Sequence, residues 1–163
     1  GLDFGFLRTY TSFTCMKGDA TVMHSEKETT DFWQDHSIAY LEMAFRTDRR
    51  ERLEKPDGYA KKTGSCGDTI EFFLTLEGDT IDALSYDIDG CLNTNACCNA
   101  IIQLVEGKSV EAAWETTPEK VAGFLQSLPE DHFHCAELAV GALYLALANA
   151  RETFQSPWKK AYR

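Results

Sequence analysis

The sequence has no CxxC pair, no long apolar run and no surplus of basic charge, and each absence removes a class of function. Without CxxC, neither a zinc-ribbon nor a thioredoxin signature applies. The most apolar run, Leu138 to Ala148, is too short for a bilayer core, which takes about 20 residues. The N-terminal segment also lacks the continuous apolar stretch of a signal peptide, so no membrane partner is expected. Lys and Arg number 16 against 26 Asp and Glu, a net charge of -10 that opposes a phosphate backbone. Nucleic acid is therefore not an expected partner. Six cysteines in 163 residues do not make a dense disulfide framework, and a chain that is 44% hydrophobic can bury a core without one. The expected compartment is a reducing cytoplasm, where cysteines near histidine and carboxylate point to metal or redox work.

What is present centres on residues 64 to 91, which read as a β-hairpin with a cysteine at each open end. Ile70, Phe72, Leu74 and Leu76 alternate onto one face, and residues 80 to 88 are rich in strand formers. Glu77-Gly78-Asp79 reads as the turn. Pairing Leu76 with Thr80 makes partner numbers sum to about 156, which sets residue 66 against residue 90. Cys66 and Cys91 then end side by side, a placement that suits two ligands of one metal and equally suits a disulfide. A third strand from about Gly58 to Lys62 completes an antiparallel sheet. The expected fold class is α+β, a small three-stranded sheet with helices packed on it.

The expected organisation is a flexible arm over residues 1–30 and one domain over 31–163. Met23 is a candidate natural start, which would leave Cys15 without a role. Thr30 or Asp31 can cap a helix carrying Phe32, His36, Ala39, Tyr40 and Met43 on one stripe, with His36 a packing residue. Arg46 to Lys55 reads as a solvated helix end. In the helix over 92–106, Asn95, Asn99, Gln103 and Glu106 form a polar stripe, and Cys97 and Cys98 fall on the buried one. Ser109 and Thr117, the latter followed by Pro118, cap two short helices. The last long helix starts at Leu128-Pro129-Glu130-Asp131 and places Cys135 in an early turn, where the helix dipole should favour its thiolate; His134 adds an imidazole. Cys66, Cys91, Cys135 and His134, with Asp68 in reserve, are a soft donor set suited to zinc or to an iron-sulfur cluster.

The order Gly64-Ser65-Cys66-Gly67-Asp68, Asp89-Gly90-Cys91, Leu128-Pro129 and His134-Cys135 resembles the NifU/IscU iron-sulfur cluster assembly scaffolds over about residues 31 to 150. Glu106 to Ala112 resembles a further family stretch. The resemblance implies a non-enzymatic carrier that receives sulfur from a cysteine desulfurase, takes up iron, builds a labile two-iron two-sulfur cluster and passes it to apo-iron-sulfur proteins. It implies Cys66, Cys91 and Cys135 as thiolate ligands, Asp68 and His134 as the other ligands or exchange partners, and Cys135 as persulfide acceptor. A carboxylate oxygen matches sulfur-bound iron less well than thiolate, which gives a physical reason for a cluster that can leave. One departure concerns delivery: where the family reads Leu-Pro-Pro-Val-Lys, this chain reads Leu128-Pro129-Glu130-Asp131-His132, which makes the Hsp70 co-chaperone system a doubtful partner.

Two rivals accompany this expectation. A zinc-binding sulfur-transfer protein of the SufU type would hold zinc in the isolated protein with the same cysteines and aspartate; His134 beside Cys135 and the short Cys91 to Cys135 connection argue for the Isc type. A Cys-His hydrolase using Cys135 is the remote alternative, disfavoured because helix neighbours point about 100° apart.

Overall fold

The computed structural model describes residues 34–156 and Trp158. The chain divides into two units, Gly1–Asp35 and His36–Arg163. The first lies almost wholly outside the described residues, and with it the expected arm, Cys15, Met23, Thr30, Asp31 and Phe32. Within the second, helix α1 spans Ile38–Phe45 and is capped by Ser37, whose hydroxyl accepts from the Tyr40 N–H at 3.0 Å. His36 lies in the break between the helical residues 34–35 and α1, stacks on Tyr40 at 4.2 Å between ring centroids and lies 3.3 Å from the Ser127 hydroxyl. His36 is a packing residue in these contacts.

Strands β1 (Gly58–Thr63), β2 (Thr69–Glu77) and β3 (Thr80–Asp89) form one antiparallel sheet in the order β1-β2-β3. Ile70, Phe72 and Leu74 turn inward and are fully buried, as their alternation requires. The hairpin register differs from the expected one. Glu77 pairs with Thr80, leaving a two-residue turn of Gly78 and Asp79 in which Gly78 takes φ 64°, a value glycine adopts at little cost. A bulge then inserts one extra residue on β3, since Thr75 faces Ala83 while Leu76 faces Ile81. The bulge lets Ile81 and Leu84, three positions apart, both point into the core at 0% exposure. Beyond it, Thr69 faces Asp89, so the ladder ends two places away from the expected pairing.

Residues after α1 are not a helix end. Arg50 bridges to Tyr86 in parallel, and the Tyr86 N–H donates to Arg49 O at 3.0 Å, so this segment covers the β3 edge. Arg49 forks onto Glu106, whose Oε1 accepts from Nη2 at 2.6 Å and whose Oε2 also accepts from the Leu84 N–H at 3.2 Å. Arg52 pairs with Glu71 and lies over Phe73, which is 3% exposed on the outer face.

Four more helices follow: α2 (Leu92–Val105), α3 (Val110–Ala113), α4 (Pro118–Leu125) and α5 (Phe133–Gln155), with a 3-10 turn over Glu130–His132 leading into α5. Helix α2 is buried on both faces: Asn95 and Asn99, expected on the polar stripe opposite the buried one, are 6% and 1% exposed. Their amides donate at 2.9 Å to Ala44 O and Met43 O respectively and both reach Arg46 O at the same distance. The free carbonyls at the α1 C-terminus are thus satisfied by α2, which removes the cost of burying either group alone. The stretch Glu130–Gln155 is long and apolar enough to cross a membrane. Here its apolar face, including Leu138, Leu143, Ala146 and Leu147, is packed in the same core as β1 and β2.

Candidate metal centre

The end of β3 and the starts of α2 and α5 meet at the open end of the hairpin. Asp68 immediately precedes β2 and lies across Gly90; a Cβ on Gly90 would stand 2.8 Å from Asp68 Oδ2, so only glycine admits the carboxylate there. Oδ2 accepts from the Thr94 hydroxyl at 2.6 Å and from the Cys91 N–H at 3.3 Å. Cys91 is the N-cap of α2, and its sulfur lies 3.5 Å from Thr94 Oγ1 and 4.0 Å from Cys135 Sγ. His134 folds its Nε2 to 3.7 Å from Cys135 Sγ. Ligand atoms of Asp68, Cys91 and Cys135 all lie within 4.8 Å of one another. Two thiolates bound to one tetrahedral zinc at about 2.3 Å would stand roughly 3.8 Å apart, so this spacing needs little adjustment to hold a metal.

Cys66 is not drawn into this group. The ladder stops at Thr69, and the chain before it makes a turn in which Gly67 N–H donates to Gly64 O at 3.0 Å and Gly64 N–H to Asp68 O at 2.9 Å. Cys66 stands exposed on that turn, and Asp68 takes the place beside Gly90 that the expected register gave to Cys66. Cys97 and Cys98 are fully buried inside α2, as their stripe indicated.

The thiols differ in chemistry as well as in position. Burial pushes the Cys91 thiol up, but Thr94 and the N–H of Asn93 at the helix start, together with Cys135, outweigh it and hold Cys91 below its ordinary value. The helix-terminus effect expected at Cys135 thus operates on Cys91. Cys135 is 0% exposed, and burial, with the neighbouring Cys91 and Asp68 charges opposed only by Thr94, pushes it up to about 12. The Thr94 hydroxyl, working against burial, holds the Asp68 carboxyl below its ordinary range, helped by Cys91 and His134. Cys97 and Cys98 are pushed far up by burial. The 3.7 Å approach of His134 overturns the angular argument used against a Cys-His pair, because the long side chain folds back at the helix start. A sealed thiol raised to about 12 is nonetheless a poor hydrolytic nucleophile.

A sequence profile of the NifU-like N terminal domain matches residues 51–155. The chain belongs to this NifU-like family. It is 29% identical over 99 residues to the iron-sulfur cluster assembly scaffold protein IscU 1 of Archaeoglobus fulgidus, covering 60% of this chain and 65% of that protein. It is 34% identical over 88 residues to the iron-sulfur cluster assembly protein IscU of Plasmodium falciparum, covering 54% of each. The shared part is thus less than two thirds of either relative's length. The fold matches the N-terminal part of a nitrogen-fixing NifU-like protein from Brucella abortus with a TM-score of 0.58 at 16% identity, over 71% of this chain and 94% of that one. The α+β arrangement of a three-stranded sheet under helices is therefore the fold shared with that NifU-like structure.

In this member of the NifU-like family, the residue beside Asp68, Cys91 and Cys135 that sequence reasoning missed is Thr94. It is fully buried, three places after Cys91 on the first turn of α2, and its hydroxyl faces Asp68, Cys91 and Cys135 together. The signal was the spacing: positions three apart at a helix start share one face, so a hydroxyl there must look toward the N-cap side chain.

Proposed function

We propose that this protein is a scaffold on which an iron-sulfur cluster is assembled and from which it is passed on, a non-enzymatic carrier in which Cys91, Cys135 and Asp68 hold the cargo. The observation that carries this reading is the approach of two thiols and one carboxylate within 4.8 Å at the surface end of the hairpin, in a chain of the NifU-like family. Soft sulfur donors suit iron in a sulfide environment, and one oxygen among them keeps the set loose enough to release it. His134 is the adjacent further ligand or exchange partner. Cys66, two residues before Asp68 on its glycine-flanked turn, completes the thiolate set as the cargo enters. The cluster is of the two-iron two-sulfur type, its sulfur comes from a cysteine desulfurase, and its acceptors are apo-iron-sulfur proteins. The five described cysteines are free thiols, the state a reducing cytoplasm would keep.

The acceptor of desulfurase sulfur is the point where resemblance and geometry part. Resemblance assigns it to Cys135. An incoming persulfide meets Cys91 first, because Cys91 is exposed and its thiolate is favoured whereas Cys135 is sealed. Incubation with desulfurase and cysteine, alkylation, and mass-spectrometric mapping separates them: early label on Cys91 followed by Cys135 supports the geometry, and label on Cys135 alone supports the resemblance.

Anaerobic reconstitution with iron, cysteine and desulfurase tests the function itself. Acid-labile sulfide in stoichiometry with iron is the expected result. Zinc uptake without any sulfide would instead support the zinc-binding sulfur-transfer reading.

A further inference from the structure

Asp68 is held in an unequal way. Its Oδ2 accepts two hydrogen bonds, from the Thr94 hydroxyl at 2.6 Å and from the Cys91 N–H at 3.3 Å. Among the described residues no N–H or O–H donates to Oδ1, while the Cys91 thiol also bears on the carboxylate. The hydroxyl has one proton, and the distances commit it to the carboxylate, since Cys91 Sγ is 3.5 Å away. Thr94 is fully buried in the first turn of a helix that also carries Asn95 and Asn99 bonded to α1, so its position is set by packing on several sides.

We propose that Thr94 is a positioning residue that loosens the hold of Asp68 on the metal: it occupies Oδ2, leaving Oδ1 as the oxygen clear of N–H and O–H donors. This rests on Asp68 being a ligand in the proposed scaffold. Two physical effects run in the same direction. A short charge-assisted hydrogen bond draws electron density from the carboxylate and makes it a weaker donor. The same bond prevents the carboxylate from closing on the ion with both oxygens. Without the hydroxyl, Asp68 can turn, bind through both atoms and retain the metal longer.

The test uses Co²⁺ as a spectroscopic probe on the reduced protein under anaerobic conditions, with release to a chelator in excess followed by loss of the thiolate-to-cobalt absorption. Thr94→Val removes the hydroxyl at nearly constant volume, and Thr94→Ser keeps it. The expected result is release slowed about tenfold in Thr94→Val, the size of change that altering an outer partner of a ligand brings to metal affinity but in the opposite sense, because here the partner weakens the ligand. Thr94→Ser should release at the wild-type rate. In an Asp68→Ala background, Thr94→Val should have no effect on release, because the group it acts through is gone. Equal release from wild type and Thr94→Val overturns the proposal, as does an undiminished Thr94→Val effect in the Asp68→Ala background. Should Thr94→Val fail to fold, Thr94→Ala is read by the same criteria. Wild-type protein that takes up no cobalt through thiolate would overturn the scaffold reading and this proposal together; cobalt uptake with equal release rates overturns this proposal alone.

Discussion

Two pairs of cysteines sit within a few turns of each other and have opposite fates. Cys91 and Cys135 lie with their sulfurs 4.0 Å apart where a strand end and two helix starts converge; Cys97 and Cys98 lie nearly two turns further along the same helix that Cys91 caps. All of Cys97, Cys98 and Cys135 have 0% exposure, so burial alone does not separate the pairs. Surroundings do. The first pair touches a hydroxyl, an imidazole and a carboxylate, any of which can stabilise a thiolate or join it on a metal. The second pair is enclosed with Ile101, Ile102 and Val105 in the apolar core, where a thiol behaves as a small hydrophobe and keeps its proton.

The largest effect expected from this contrast is in alkylation of the metal-free reduced protein. Cys66 and Cys91 should react with iodoacetamide on the order of 10³ times faster than Cys97 and Cys98, which are reached only when the helix opens. Comparable rates, read by peptide mapping, would break the comparison. A smaller change should follow Cys66→Ser in the cobalt-loaded protein. If Cys66 moves in as the third thiolate, the thiolate-to-cobalt absorption falls by about one third, one sulfur of three. Unchanged intensity would leave Cys66 outside the ligand set. The smallest effect is a shift along the pH axis. Only the thiolate reacts, and Cys91 is held below the ordinary thiol value, so its alkylation rate should rise with pH and reach half its maximum below the midpoint of a free cysteine in an unstructured peptide measured alongside. A midpoint above that of the peptide would show that burial outweighs Thr94 and the helix start.

The sequence made the hairpin, its inward face and the core placement of Cys97 and Cys98 readable, because alternation and helical spacing are local properties. The register was not readable. A two-residue turn and a bulge near Asp82 are each small choices, yet together they moved Asp68, in place of Cys66, against Gly90. The burial of Asn95 and Asn99 was hidden for a different reason: their partners, Met43, Ala44 and Arg46, are about 50 residues away along the chain, and only the packing of α1 on α2 makes two amides into a helix cap. The same holds for Arg46 to Lys55, whose charges looked solvated until β3, Glu71 and Glu106 were placed beside them. At the site, Cys91, Cys135, Asp68 and His134 were named from their order along the chain. The electrostatics do not follow from that order, since a helix start favours a thiolate only when the sulfur lies at the free N–H groups. Cys91, the N-cap, does so, and Cys135 lies too deep.

The most direct measurement is therefore iron and acid-labile sulfide per chain after identical anaerobic reconstitution of two double variants. Cys97→Ala/Cys98→Ala should bind both at the wild-type level, with only a stability loss of about 1 kcal/mol per truncated side chain. Cys91→Ser/Cys135→Ser should retain neither. Retention by Cys91→Ser/Cys135→Ser together with loss in a folded Cys97→Ala/Cys98→Ala protein would contradict the assignment and make the paired helix cysteines the cluster ligands.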